Sequence, residues 1–491
     1  MSKIFGMRGI LVSSTVTACA AALTLPFLAG PSAATSSTHD PDVTARSVSG
    51  STQSLPLVPL RGAHHGGGHA KGHAKKRTAG PEPTSTEQGL PQLEVKPFSL
   101  VGIVWDDAGA ELRGHAQVRT RPVGSRDWAD WQEVVTHDDD RPDTDSSEAR
   151  AGRLRGSTAP LWVGASDAIQ VRVRPDGASG RTPGGALPAG MRLELVDPGV
   201  DRARSAAPPV PSENELAASA ANVPLAPLGS TEIPALAKPA SEGDVEYTGP
   251  GDQQTPGPGE METDDEEGGY PLDDYDTDTP DRPGSSEGGR YVGPRPRMVT
   301  RAGWGADESL RESGFVYTGA VRAAFVHHTA SGNRYSCSQS ASVIRGIYRY
   351  HVVSSGWRDL GYNFLIDKCG TIYEGRSGGV ARPVKGAHTL GFNSNSMGIA
   401  VLGTYGTTNP STAAVDAVAD LTAWKLGLFG ANPAGTASLV SGGGNLYKKG
   451  TKVRLKAISG HRDGFSTECP GDRLYGRLGG ARSVAARLQG R

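Results

Sequence analysis

The chain has 491 residues, 51 Lys and Arg against 52 Asp and Glu, and a formal net charge of −1, with Gly 67 and Pro 35 both above ordinary usage. That length predicts two to four domains, and the Gly and Pro content assigns part of it to linkers. One small domain is excluded, and the near-zero total hides strong segregation of charge along the chain.

Residues 1–34 read as a secretory signal peptide. Lys3 and Arg8 supply a positive start, Gly9 to Leu28 is largely apolar, and Ser32-Ala33-Ala34 fits a small-x-small cleavage site. Ser13, Ser14 and Thr15 interrupt the apolar run, which argues against a stable membrane span. Val16-Thr17-Ala18-Cys19 loosely resembles an acylation box, so a lipoprotein held through Cys19 is the minor alternative. Residues 35–90 lack hydrophobic periodicity and read as a disordered low-complexity segment. The histidines between His64 and His73 belong to that spacer and have no fixed geometry to select a metal.

Residues 91–200 read as an all-β accessory module, sandwich-like. Ala116 to Arg121, Ile169 to Arg174 and Met191 to Val196 alternate with period two, arginines on the outward face. Trp128, Trp131 and Trp162 are expected in its core. No catalytic constellation stands out: His115, His137 and the acidic run Asp138 to Asp140 have no partners at ligand spacing. The module is equally a wall-binding unit or a spacer. Residues 201–297 read as a disordered linker, first Pro/Ala-rich and then acidic, with no Lys or Arg from Asp252 to Asp281.

Residues 298–491 are large enough for their own core. Helical spacing over Ala341 to Val353 and Ala414 to Leu426 mixes with strand signals at Phe325, Tyr362 to Asp367, Thr371 to Glu374 and Gly398 to Gly403. The fold class is therefore α/β, a mixed β-sheet flanked by helices. From residue 301 onward 23 Lys and Arg face 11 Asp and Glu. That field suits an anionic polymer. Export argues against nucleic acid and toward cell-wall material.

The chemistry concentrates near Ser459 to Gly471. His461 and Cys469 offer an imidazole nitrogen and a thiolate, and His327, at the end of a short buried strand, offers a third donor. Two histidines and one cysteine leave one position for water, which is the catalytic rather than the structural zinc pattern. His328 points to the other strand face and reads as structural, as does Glu374. Of four cysteines, Cys19 leaves with the signal and Cys469 goes to the metal. Cys337 and Cys369 are then expected to form a disulfide in an oxidising compartment.

Thr300-Arg-Ala-Gly-Trp-Gly-Ala, Val326-His-His-Thr-Ala, Gly361-Tyr-Asn-Phe-Leu-Ile, Gly386-Ala-His-Thr-Leu-Gly-Phe-Asn and Gly460-His-Arg-Asp with Thr467-Glu-Cys-Pro-Gly resemble the zinc-dependent N-acetylmuramoyl-L-alanine amidases. These form the amidase-2 or peptidoglycan recognition protein superfamily. The module before the linker resembles a domain that precedes such amidases in actinobacteria. The resemblance implies a secreted, cell-wall-associated hydrolase that takes peptidoglycan or muropeptides, with anionic wall polymers as further partners and Zn2+ as cofactor. It carries the zinc ligands to His327, His461 and Cys469. It gives Tyr362 the oxyanion and Thr467 an assisting role, with His388, Asn393, Arg376 and Trp357 in the substrate groove. The strand Gly398-Ile-Ala-Val-Leu-Gly403 lacks the glutamate base of some relatives, so the resemblance names no proton carrier. The alternative is a recognition protein that binds peptidoglycan without cutting it. Such members typically lose the cysteine ligand, which is present here.

Overall fold

Strands 51–56, 192–197, 88–105, 161–175, 114–122 and 132–134 lie side by side in that order, all antiparallel, and form the N-terminal sheet. The structure is a computed structural model; it describes residues 50–60, 87–136, 140–176, 186–199, 211–249, 262–263 and 291–491. The signal peptide, Cys19, the His64–His73 cluster, His137 to Asp139 and most of the acidic run fall outside the described residues. Among the described residues no helix is long and apolar enough to cross a membrane.

The long strand Gln88–Trp105 changes character along its length. Its first half alternates little and is exposed, whereas Leu100 to Trp105 is buried at every position. Continuous burial means that both faces are covered. Val101, Ile103 and Trp105 point into the module's own core with Val118, Val171 and Leu195. Leu100 and Val104 point the other way and join Trp162 and Val196 against Val343, Ile344 and Ile347 of the C-terminal domain. Trp162 thus belongs to the seam between the domains. Trp128 and Trp131 are only half-buried and stack with Arg119 and Arg172.

Polar contacts tighten the seam. The Tyr350 hydroxyl donates to the carbonyls of Ile103 and Thr158 at 3.2 and 3.1 Å. Its ring lies so close to Gly102 that a Cβ there would stand 2.3 Å from the ring carbon Cζ. Trp162 N donates to Ser331 O and Arg155 N to Ser355 O, each at 3.0 Å.

The C-terminal domain is a mixed seven-stranded sheet, in the order 458–460, 323–328, 396–401, 364–366, 372–374, 298–299 and 232–233. The first three pairings are parallel. Ala323–His328 is buried at all six positions, as a central parallel strand requires. Helices Ser340–Arg349 and Thr412–Leu428 cover the sheet, the second carrying the fully buried Trp424. Cys337 and Cys369 are disulfide-bonded across a separation of 32 residues.

Two stretches expected to be featureless contribute structure. Ser51–Pro56 pairs with Arg192–Asp197 as an edge strand. Residues 211–249 form helix Glu213–Ala220, capped by Ser212, and the edge strand Glu232–Ile233. Asn222 secures them: Nδ2 donates to Glu374 Oε1 at 2.8 Å, and Val380 N donates to Oδ1 at 2.9 Å. Asp244 adds a buried ion pair with Arg295 and accepts from Trp424 Nε1. Average polarity marks this stretch as linker, but a few buried polar side chains anchor it, and composition does not register single anchors.

Candidate metal centre and groove

His327 and His461 come together because their strands are neighbours. In the parallel pairing Val326 stands opposite Gly460, so the next residue of each chain emerges at the same sheet edge. Gly460 N donates to Asp463 Oδ2 at 2.9 Å, and the Tyr475 hydroxyl donates to Oδ1 at 2.7 Å. These bonds fix the turn that carries His461. Arg462 N donates to Cys469 O at 3.0 Å and returns the chain to the site. Thr467 Oγ1 accepts from Cys469 N at 3.2 Å, so Thr467 lies beside the ligand and shapes its loop.

The three donors are fully buried, and their ligand atoms all lie within 4.8 Å of one another. Cys469 Sγ is 3.8 Å from His327 Nδ1. Donor atoms around a tetrahedral zinc stand about 3.3–3.8 Å apart. The cluster therefore fits zinc in both donor chemistry and spacing.

Thr389 orients the first ligand, and sequence reasoning missed it. Its hydroxyl oxygen lies 3.4 Å from His327 Nε2, which leaves Nδ1 toward the cluster. The signal was available: Thr389 directly follows His388 in the Gly-Ala-His-Thr motif. His388 itself is fully buried, with Nδ1 3.0 Å from Thr389 Oγ1, and its ring packs edge-on against His327. Burial first, then His327 and His461, pushes its pKa well below the ordinary value, so it is neutral. It stands behind the ligand rather than in the open.

The other predicted residues occupy distinct places. Tyr362 is buried, its ring 5.5 Å from that of His327. Asn393 Oδ1 accepts from the backbone of His388 and Thr389 at 2.7 and 3.0 Å, which holds that loop. Trp357 stacks on His351 at 4.2 Å. His351 Nδ1 accepts from Gly361 N and so positions the residue before Tyr362. Arg376 donates from Nε to Leu360 O at 2.7 Å. His328 Nδ1 accepts from Tyr405 N, on the far side of the strand. Glu374 lies away from the cluster, accepting from Asn222 and from Arg301 N; burial raises its pKa to about 7.

Asp140 corrects the expectation that the module's acidic run lacks partners. Its Oδ1 lies 3.0 Å from His327 Nδ1 and 3.3 Å from His461 Nδ1. Its Oδ2 accepts from the Tyr362 hydroxyl at 2.6 Å across a separation of 222 residues. Three further carboxylates of the same segment also meet the C-terminal domain. Asp143 accepts from Gly391 N and Asn393 Nδ2, Asp145 pairs with Lys449, and Glu148 binds Arg376 through both oxygens at 2.9 and 3.1 Å. Sequence spacing could not show this, because every partner belongs to another domain.

Two family models match. One, described as N-acetylmuramoyl-L-alanine amidase, covers residues 317–472; the other, described as Rv3811 N-terminal galactose-binding domain-like, covers residues 43–207. Peptidoglycan-recognition protein SC2 of Drosophila simulans is 33% identical over 184 residues, 37% of this chain and 84% of that protein. The N-acetylmuramoyl-L-alanine amidase of Homo sapiens is 33% identical over 156 residues, 31% of this chain and 23% of that protein. Among solved structures, peptidoglycan recognition protein-LE in complex with tracheal cytotoxin is 27% identical, covering 37% of this chain and 91% of that one with a TM-score of 0.29.

Proposed function

The chain belongs to the family of N-acetylmuramoyl-L-alanine amidases and peptidoglycan-recognition proteins, and from that premise we propose that it is an exported zinc amidase that cleaves peptidoglycan between the lactyl group of N-acetylmuramic acid and L-alanine. One observation carries the catalytic reading over the binding-only reading. The donor set His327, His461 and Cys469 is complete and converges, with Tyr362 facing it.

Zinc held by these three residues would lower the pKa of water toward about 7 and polarise the scissile carbonyl. The protein's own groups do the rest. Thr389 keeps Nδ1 of His327 toward the metal position. The Tyr362 hydroxyl is a donor at the cluster and is placed to stabilise the developing oxyanion. Thr467 lies beside Cys469 and, with Tyr362 and water, is a candidate to relay a proton to the leaving amine. His388 packs edge-on against His327 and, with Nδ1 3.0 Å from Thr389 Oγ1, backs the residue that orients it. The Lys and Arg excess of the C-terminal half favours encounter with an anionic wall.

Cys469→Ser separates the two readings. An amidase loses turnover and keeps wall binding; turnover that survives the substitution would remove Cys469 from the metal and the zinc mechanism with it.

A further inference from the structure

We propose that residues 140–148 of the N-terminal module are an intramolecular cap on the metal centre, with Asp140 standing where the fourth zinc ligand would be and its neighbours filling the muropeptide groove. This rests on the zinc reading of the cluster.

Asp140 Oδ1 stands 3.0 and 3.3 Å from the two ligand nitrogens. That is the edge length, roughly 3.3 Å, between oxygen and nitrogen donors of a tetrahedral site. A carboxylate is itself a zinc donor. The same side chain engages the Tyr362 hydroxyl at 2.6 Å, so the donor meant for an oxyanion is already occupied.

The apolar seam of Leu100, Val104, Trp162 and Val196 on helix Ser340–Arg349 already docks the module. Holding it in place does not require burying Asp143 and Glu148, whose side chains are 5% and 6% exposed. Buried carboxylates are costly unless paired. Each is paired with a groove residue, Asp143 with Asn393 and Glu148 with Arg376. The pattern is that of an acidic ligand lying in the groove.

Ser146 caps the short helix Ser147–Arg150, which fixes the orientation of Glu148 toward Arg376. The segment leaves the edge strand Gln132–Val134 and returns at Gly156–Ser157, which pairs with Val104 and Trp105 beside the seam.

The test uses the full-length chain in three forms: unmodified, Asp140→Ala, and the double variant Asp143→Ala/Glu148→Ala, which loosens the segment and leaves Asp140 in place. Each is loaded with cobalt(II) and its visible spectrum recorded with and without azide as a probe of an open ligand position. The cap predicts that the unmodified chain ignores azide, that Asp140→Ala responds, and that the double variant responds in part. Equal spectra and equal azide response in all three would overturn it. Turnover on purified wall should rise on the order of tenfold in Asp140→Ala if the closed form is held at ten to one, and by less in the double variant. Spectra that differ while no form releases amino termini would leave the cap standing and remove the amidase reading.

Discussion

The hydroxyl of Tyr362 donates to Asp140 Oδ2, and the other oxygen of that carboxylate faces His327 and His461. One side chain from the N-terminal module thus meets both the His327–His461 pair and the Tyr362 phenol. Tyr362→Phe removes the donor and leaves the ligands in place. Turnover on wall substrate should fall about 100- to 1000-fold, with zinc content per chain unchanged. Loss of zinc from this variant would assign Tyr362 to the metal's support instead.

His351 predicts the acid limb of stability. Burial, with Arg376 adding to it, holds its pKa at about 3 against an ordinary 6.5. The unfolded chain takes up a proton below pH 6.5 and the folded chain does not until about pH 3. The contribution is therefore complete above pH 6.5 and declines as pH falls toward 3, by on the order of 1.4 kcal/mol per unit. Urea unfolding of the unmodified chain and His351→Gln at pH 7 and pH 4.5 checks it: the variant should lose less stability between the two.

Asn222 tests whether residues 211–249 are part of the C-terminal domain. Asn222→Ala strands Glu374 Oε1 and Val380 N, both buried. Stability should fall by about 1–3 kcal/mol in denaturant unfolding. An unchanged midpoint would make the segment dispensable.

The disulfide links the start of helix Ser340–Arg349 to the turn at Asp367. Replacing Cys337 and Cys369 together with serine should cost on the order of 3–4 kcal/mol, read as a lower Tm. The cluster of His327, His461 and Cys469 lies elsewhere, so zinc content should be retained.

What the sequence discloses follows from how local each signal is. The His327 strand is legible as the apolar run Ala323 to Val326 with His327 at its end, and the disulfide as two cysteines left over. The Thr412–Leu428 helix is legible from its spacing. Asp140, Asn222 and Trp162 are not, because each acquires its role from a partner more than a hundred residues away. Polarity alone places Asn222 in a linker and Asp140 on a solvated loop. Only the tertiary pairing reveals a buried anchor and a carboxylate on the metal ligands. Thr389 is intermediate: its motif is visible, but its part in orienting His327 needs the geometry.

The most direct measurement is the appearance of new L-alanine amino termini from purified peptidoglycan, with one zinc bound per chain, for the full-length protein and Asp140→Ala. The account predicts release that stops with a chelator, resumes with added zinc, and is faster for Asp140→Ala. Zinc-loaded protein that binds the wall and releases no amino termini in either form would contradict it.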